Sequence, residues 1–438
     1  SSTLPIQNNL YWYPSVSGSF LFSEFFHINK KILPYGKVRA SWAKVGHDTW
    51  PYLLQLMYEM APNNFGKYPM ASIANEVLPN KKLKPTMTNS MELGFELKFL
   101  NNRIGLDVTY YNQHSRDQIL RMNTAHGSGY RFKMVNAGDI ENRGIEIVLN
   151  TRPIDLQDFS WDLNMNFAKN KNKVRKLAHG VDEFELSSAR WLGVKIVAKV
   201  GENYGCIMGQ DFLRNANGDV IIDGKTGLPK ITDDLKVLGN ATWDWTGGLT
   251  TNFRYKNLTL GAIFDVKVGA DLYSMSARSA YYTGKNKETL EGRDGWYASE
   301  EQRLQAGVAP KDWKPTGGYI AKGVIEQPDG TYKPNDIYVN PQDYWMHVAM
   351  HTARPFIYDN SYVKLRELTL SYAFPKRMLG KVIQSLSVSF VARNLFNIYK
   401  NIPNIDPDSN YNNGPSLGLE YGSLPSRRSI GMNVNLKF

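Results

Sequence analysis

Cysteine is all but missing from these 438 residues: Cys206 stands alone. An intrachain disulfide framework is therefore impossible, and so is a metal site built from clustered thiolates. No run of about 18 apolar residues occurs, which rules out transmembrane helices. Self-similarity at a fixed period of roughly 20–50 residues is also missing, which counts against a propeller or a solenoid. Ser1–Asn9 has neither a charged stretch nor an apolar one behind it, so the chain does not open on a signal peptide.

Catalytic signatures are missing as well. There is no Gly-x-Ser-x-Gly elbow and no Gly-rich loop ending in Gly-Lys-Ser/Thr. No pair of carboxylates stands out as a glycosidase site. The chain is not expected to be an enzyme, and no cofactor is implied. His347 and His351 have the spacing of one helix face but lack the Glu of a His-Glu-x-x-His zinc motif, so a solvated loop is the better reading. Asn215-Ala-Asn217-Gly218-Asp219, with Asp223, has some likeness to a calcium loop. The ligand spacing and terminal Glu of an EF-hand are absent, and a turn rich in Asn, Asp and Gly explains the segment as well.

Lys and Arg number 52 against 41 Asp and Glu, a net +11 that would permit a nucleic-acid partner. The basic residues are scattered, however, and no nucleic acid is expected. Their one dense stretch, Lys169–Lys176, is interleaved with Asn170 and Asn172 and reads as a solvated turn.

What is abundant is alternation. In the last ten residues Ile430, Met432, Val434, Leu436 and Phe438 are apolar, and the residues between them are small or polar. Phe159, Trp161, Leu163, Met165 and Phe167 repeat the pattern, as do Met91, Leu93, Phe95, Leu97 and Phe99, and Ile104, Leu106, Val108 and Tyr110. About thirteen such segments of roughly ten residues can be counted, each a strand with two unlike faces. Helical periodicity is sparse, Glu288–Gln305 being the exception. Some connections are short, such as Asn101–Asn102 and Tyr255–Asn257, which read as hairpin turns. Others are long: Thr49–Pro85 and, above all, Ser274–Ala353, whose ~80 residues far exceed ordinary loops and point to function.

Short turns at one end and long loops at the other, joined by long alternating strands, are the pattern of a transmembrane β-barrel. Hydrocarbon cannot satisfy free backbone groups, so a sheet that crosses it must close, with one face toward lipid and the other toward a wet lumen. A large soluble β-sandwich is the alternative, but soluble strands average about five or six residues and these are longer.

Aromatic residues make up 12% of the chain, and many fall in the longest loop. Rings stack on sugar faces, or pack a loop against itself. Tyr281, Tyr282, Trp296 and Trp313 are the candidates for contact with a ligand or a partner.

Several stretches resemble one family. Asn89–Phe95 (Asn-Ser-Met-Glu-Leu-Gly-Phe) and Asn136–Ile147 look like barrel strands of the SusC/RagA-like TonB-dependent transporters, and Asn166–Val174 like a strand end and turn. Leu238–Leu249, Phe356–Tyr372, Arg393-Asn-Leu-Phe396, Asp406-Pro-Asp408 and the C-terminal strand ending in Phe438 extend the resemblance over nearly the whole chain. Within these motifs Arg143-Gly144 reads as a tight start to the Ile145/Ile147/Leu149 stripe, and Asn394 and Asp406 read as turn formers.

The resemblance implies the C-terminal part of an antiparallel transmembrane barrel, about thirteen strands of a plugged barrel of roughly 22. Residues 1–438 would all belong to that barrel, with the plug and early strands supplied by a longer polypeptide. It further implies a Bacteroidota outer membrane and its lipid, import of a glycan or an oligopeptide, and energy from TonB acting through the plug. A SusD-like surface lipoprotein would cap the mouth, in an arrangement that admits a dimer of transporter–lipoprotein pairs. The competing role is that of a SusC-like barrel serving as a structural subunit of a larger outer-membrane assembly.

Overall fold

The alternating segments pair, neighbour to neighbour in chain order, into one long antiparallel sheet. Its strands are β1 (Ser15–Phe20), β2 (Tyr35–His47), β3 (Thr86–Phe99), β4 (Ile104–Asn123), β5 (Phe132–Asp155), β6 (Phe159–Lys176), β7 (Trp245–Tyr255), β8 (Leu258–Val268), β9 (Tyr362–Ala373), β10 (Ser385–Lys400) and β11 (Ser429–Lys437). This computed structural model describes all residues except 1–2, 52–53, 74–75, 190–192, 411–413 and 415, and of 123 and 126 only the backbone. An up-and-down order without crossovers is that of a barrel wall. The wall takes eleven strands in this path; further short runs between Glu183 and Asn240 pair among themselves in a separate four-stranded sheet.

Register aligns the apolar residues on one face. Val38 stands opposite Phe95, Phe95 opposite Val108, Val108 opposite Ile147, and Ile147 opposite Phe167. Toward the other edge, Leu260, Leu370, Phe390 and Met432 form a second row. Phe95, Phe390 and Met432 remain exposed, which suits a face turned to hydrocarbon. The other face is polar and cross-linked: Lys37 reaches Glu96 at 2.6 Å, and Arg39 clasps both oxygens of Asp107 at 2.8 and 2.7 Å.

The two ends of the wall differ. At one end the strands are joined by the tight turn Leu100–Asn102, all left-handed, by a turn at left-handed Lys256, and by residues 374–384. The expected hairpins at Asn101–Asn102 and Tyr255–Asn257 are therefore present. From the opposite end rise the long connections 48–85, 177–244, 269–361 and 401–428.

Three local readings are corrected. Lys169–Lys176 is no turn but the far half of β6, paired with Asp139–Ile145 of β5. The apolar row ends at Phe167, and Lys169–Lys173 alternates Lys with Asn, which suits a paired strand as well as a turn. Gly144 does not start a strand but lies in the middle of β5. A Cβ there would come within 2.6 Å of the Tyr111 hydroxyl, so the glycine makes room for Tyr111 to reach Asn170 Oδ1 at 3.1 Å. Asn394 is a left-handed residue inside β10, near a shift in the ladder to β9, and thus serves a bulge rather than a turn.

The long connections fold together above the wall. Residues 269–361 carry α1 (Met275–Tyr282), α2 (Arg293–Gln305) and α3 (Pro341–His351). The expected helical stretch Glu288–Gln305 is thus α2 with a 3-10 turn before it. A short strand, Asp271–Ser274, lies between Ile357–Asp359 and Leu419–Glu420. One apolar core joins these parts: Ile196, Ile207 and Leu238 of the small sheet pack with Tyr273, Val348 and Phe356. Each such fully buried side chain contributes about 1.5–3 kcal/mol.

Candidate functional site

The site is built from the ends of the three loop helices. Ser274 starts α1 by accepting a hydrogen bond from the Ala277 N–H at 3.0 Å. Its own hydroxyl donates to Glu420 at 2.7 Å, and Glu420 also accepts from Ser276 N and Oγ, at 3.1 and 2.7 Å. A carboxylate at a helix N-terminus is favoured by the helix dipole as well as by these donors. The last long connection thereby fixes where α1 begins, and α1 carries Tyr281 and Tyr282 at its other end.

Tyr281 is buried, its ring 4.7 Å from that of Trp345 and 5.6 Å from that of Phe356. Its hydroxyl donates to Glu288 at 2.6 Å. Burial first, and the hydrogen bond to Glu288 second, push its pKa well above the usual phenol value, so it stays protonated. Trp345 comes from α3, whose start is fixed by Pro341 and by Asn340 Oδ1 accepting from Gln342 N at 2.9 Å. The start of α2 lies against backbone: a Cβ on left-handed Gly292 would stand 2.6 Å from the carbonyl carbon of Gly318. This close approach sets Trp296. Arg293 is tied down by neutral acceptors, Nε to Thr289 O at 2.7 Å and Nη2 to Gly284 O at 2.9 Å.

Between these helix ends lies a cleft of about 460 Å³. Tyr281, Tyr282 and Trp296, named from sequence, line it together with Tyr297, Trp345 and Arg293. Trp313 does not line it. Its indole N–H donates to buried Ser299 Oγ at 3.1 Å, which staples residues 309–316 to α2. Tyr297 and Trp345 belong to the aromatic set of the loop, so composition held a signal for them. Arg293 had none.

A second cluster joins the wall to the loop 401–428. Lys364 reaches Asp408 at 2.7 Å and Asp406 at 3.3 Å. Arg366 bridges Asp265 and Asp408, both at 2.5 Å, and the Tyr362 hydroxyl, with one proton to give, lies 3.1 and 3.0 Å from oxygens of the same two carboxylates. Arg366 is skipped by the ladders on both sides and forms a bulge, which keeps Tyr362, Lys364 and Arg366 on the polar face. Burial alone would raise the Asp408 pKa, but hydrogen bonds from Arg366 and Lys364 outweigh it and hold the carboxyl well below the usual range. Asp406, read as a turn former, is an ion-pair partner as well.

The remaining polar candidates are engaged locally. His347 bonds Pro229 O and His351 bonds His347 O, both at 2.9 Å. Asp223 accepts from the N–H groups of Lys225 and Thr226, closing a turn, and Asp219 accepts from Asn215 at 3.1 Å. Among the described residues no three His, Cys, Asp or Glu converge as a metal site would require.

Residues 3–257 match the family model described as TonB dependent receptor-like, beta-barrel. TonB-dependent receptor P3 of Formosa agariphila is 26% identical over 100% of this chain and 43% of its own length. TonB-dependent receptor SusC of Bacteroides thetaiotaomicron is 26% identical over 59% of this chain and 27% of its own length. The chain thus spans less than half the length of these relatives. In fold it superposes on the RagAB peptide transporter with a TM-score of 0.73, at 19% identity, over 100% of this chain and 44% of that one.

Proposed function

This chain belongs to the TonB-dependent receptor β-barrel family, and from that premise we propose that it forms the C-terminal part of an outer-membrane importer for a nutrient oligomer. The eleven-stranded wall would be about half of a barrel of roughly 22 strands, completed by strands and a plug from the rest of a longer polypeptide. The mechanism has no covalent step. The oligomer would be held among the long loops beneath a SusD-like surface lipoprotein, and TonB, acting on the plug, would release it to the periplasm.

The observation that carries this reading is the cleft, where Tyr282, Trp296 and Tyr297 present rings at the end of the wall from which the long connections rise. Flat rings that stay part-exposed in a preformed concavity suit the faces of sugars, which favours a glycan over a peptide. Mass spectrometry of the intact polypeptide and its companions, from outer membranes in mild detergent, tests it. A chain more than twice this length, accompanied by a surface lipoprotein, is expected. A set of unrelated partners would favour the structural-subunit role, and copurified oligopeptide would overturn the glycan assignment.

A further inference from the structure

The far half of β6 splits its lysines and asparagines between two faces. Asn170 and Asn172 point inward, where both donate to Asn142 Oδ1, at 3.2 and 2.7 Å, beside the bond from Tyr111 to Asn170. Lys169, Lys171 and Lys173 share the outer face with Phe167. Arg143 of β5 lies directly opposite Lys171 on that face, with Lys169 and Lys173 at its two diagonals. Like charges directly opposite each other destabilise a ladder, and here four cations crowd two neighbouring strands. The nearest carboxylates of the outer face are engaged elsewhere. Glu141, opposite Lys173, is held by Arg175, and Asp139 meets Arg116 and the His114 ring. Among the described residues Arg143, Lys169, Lys171 and Lys173 make no ion pair, and all but the half-buried Lys173 are exposed.

These cations stand where the hydrocarbon ends. At about 3.4 Å per residue, Lys169 follows Phe167 by about 7 Å of strand and Lys173 by about 20 Å. Tyr110, opposite Ile145, and Trp245, whose ring is 5.6 Å from that of Phe167, lie close to the level of Lys169. Such rings mark a membrane interface. From Phe167 the strand runs on into the long connection 177–244, and in outer-membrane barrels the long connections are extracellular. The outer leaflet on that side is built of glycolipid whose sugar headgroup carries phosphates just beyond the acyl chains. A phosphate only accepts, an arginine fork takes it with two bonds, and lysines add point charges around it. We propose, on the outer-membrane placement above but independently of any cargo, that Arg143, Lys169, Lys171 and Lys173 form a docking site on the outside of the barrel for the phosphorylated headgroup of lipopolysaccharide. A bound phosphate turns the contact between Arg143 and Lys171 from a repulsion into a bridge.

The test is native mass spectrometry of the full-length protein, stripped of lipid in detergent and titrated with diphosphoryl lipid A, with lipid A freed of its phosphates, and with phosphatidylglycerol. Diphosphoryl lipid A should bind tenfold or more tighter than either of the others. Arg143→Gln/Lys171→Gln should abolish that preference, and Arg143→Lys should retain part of it. Lys30→Gln/Lys31→Gln, which removes as much charge from the connection 21–34 beside the Leu100 turn, should change nothing. Lys171→Gln alone relieves the like-charge contact, so it should fold as well as the native chain, read by heat-modifiable migration, while still weakening lipid A binding several-fold. A preference that survives Arg143→Gln/Lys171→Gln would overturn the proposal. So would phosphatidylglycerol binding as tightly as lipid A, which would mean attraction to any anionic lipid. Loss of an oligomer in the double variant, with lipid A binding unchanged, would assign the patch to a second copy and overturn it too. A full-length protein that stays dispersed without detergent would overturn the outer-membrane placement itself.

Discussion

Lys364 Nζ lies 2.7 Å from Asp408 Oδ2, and the lysine side chain is 2% exposed. This contact ties β9 of the wall to the loop 401–428. The same loop supplies Glu420, which fixes the start of α1 and, through α1, one side of the aromatic cleft. Wall and cleft are thus coupled through a pair 44 residues apart in sequence.

Removing the cation should loosen the loop. Lys364→Met would leave Asp406 and Asp408 with less than their full charge complement, and breaking a buried pair in this way costs about 3–5 kcal/mol. Hydrogen exchange should show lost protection across 401–428 while the wall strands stay protected. The double variant with Asp408→Asn should recover part of the loss, because it neutralises one of the two carboxylates that Lys364 leaves behind.

The same anchor sets an acid limit. The folded pKa of Asp408 is depressed, so its contribution is complete above the unfolded value of about 3.9 and is lost only as pH falls toward the lower folded value. Protection of 401–428 should therefore stay level from pH 7 to about 4 and fall below that. Loss beginning near pH 6 would contradict the assignment.

Glu420 should matter to the cleft without touching cargo. Glu420→Ala strips acceptors from Ser274, Ser276 and the Ser423 N–H in a buried setting, at about 1–3 kcal/mol for each stranded donor. Ligand affinity should fall, and protease sensitivity of α1 should rise with it. Affinity lost with α1 still fully protected would show that Glu420 acts on the ligand directly.

Trp296 and Trp313 should separate cleanly. Trp296→Ala removes a wall of the cleft and should weaken ligand binding by tenfold or more with the melting temperature little changed. Trp313→Phe, which removes the indole N–H that bonds Ser299 and trims the ring, should leave affinity near its starting value and expose residues 309–316 to protease. If the two exchange phenotypes, the cleft is not the binding site.

The outer face should reject charge. Phe95→Lys puts a cation among rows turned to hydrocarbon, and such a change costs about 2–4 kcal/mol at the bilayer midplane. On the inner face, Asn164→Lys should be tolerated. Heat-modifiable migration of the barrel on gels reads both outcomes.

Much of this was legible in the chain. Strict alternation in segments such as Phe159–Phe167 gave the strands, their two faces and their neighbours, because a sheet with one face in lipid tolerates few exceptions. The bulge at Arg366 was written there too: Val363 and Leu365 are two apart, but the next apolar pair, Leu368 and Leu370, begins after a gap of three. Lys169–Lys176 misled because high charge fits a strand that has left the membrane as well as it fits a turn. The cleft was only half legible. Aromatic content marked the loop, but whether a ring lines a cleft, as Trp296 does, or staples a segment, as Trp313 does, depends on which helix end it meets. Asp408 and Arg293 gave no local sign, since their places beside Lys364 and in the cleft arise only from folding.

The most direct measurement of the importer reading is nutrient depletion by cells. A strain lacking the full-length transporter would be complemented with the native gene or with a Tyr282→Ala/Trp296→Ala variant, and a panel of acidic and neutral oligosaccharides would be followed in the medium. The native gene should restore depletion of at least one oligosaccharide, and the variant, present in the outer membrane in equal amount, should not. Depletion that never depends on the transporter, or full complementation by the variant, would contradict it.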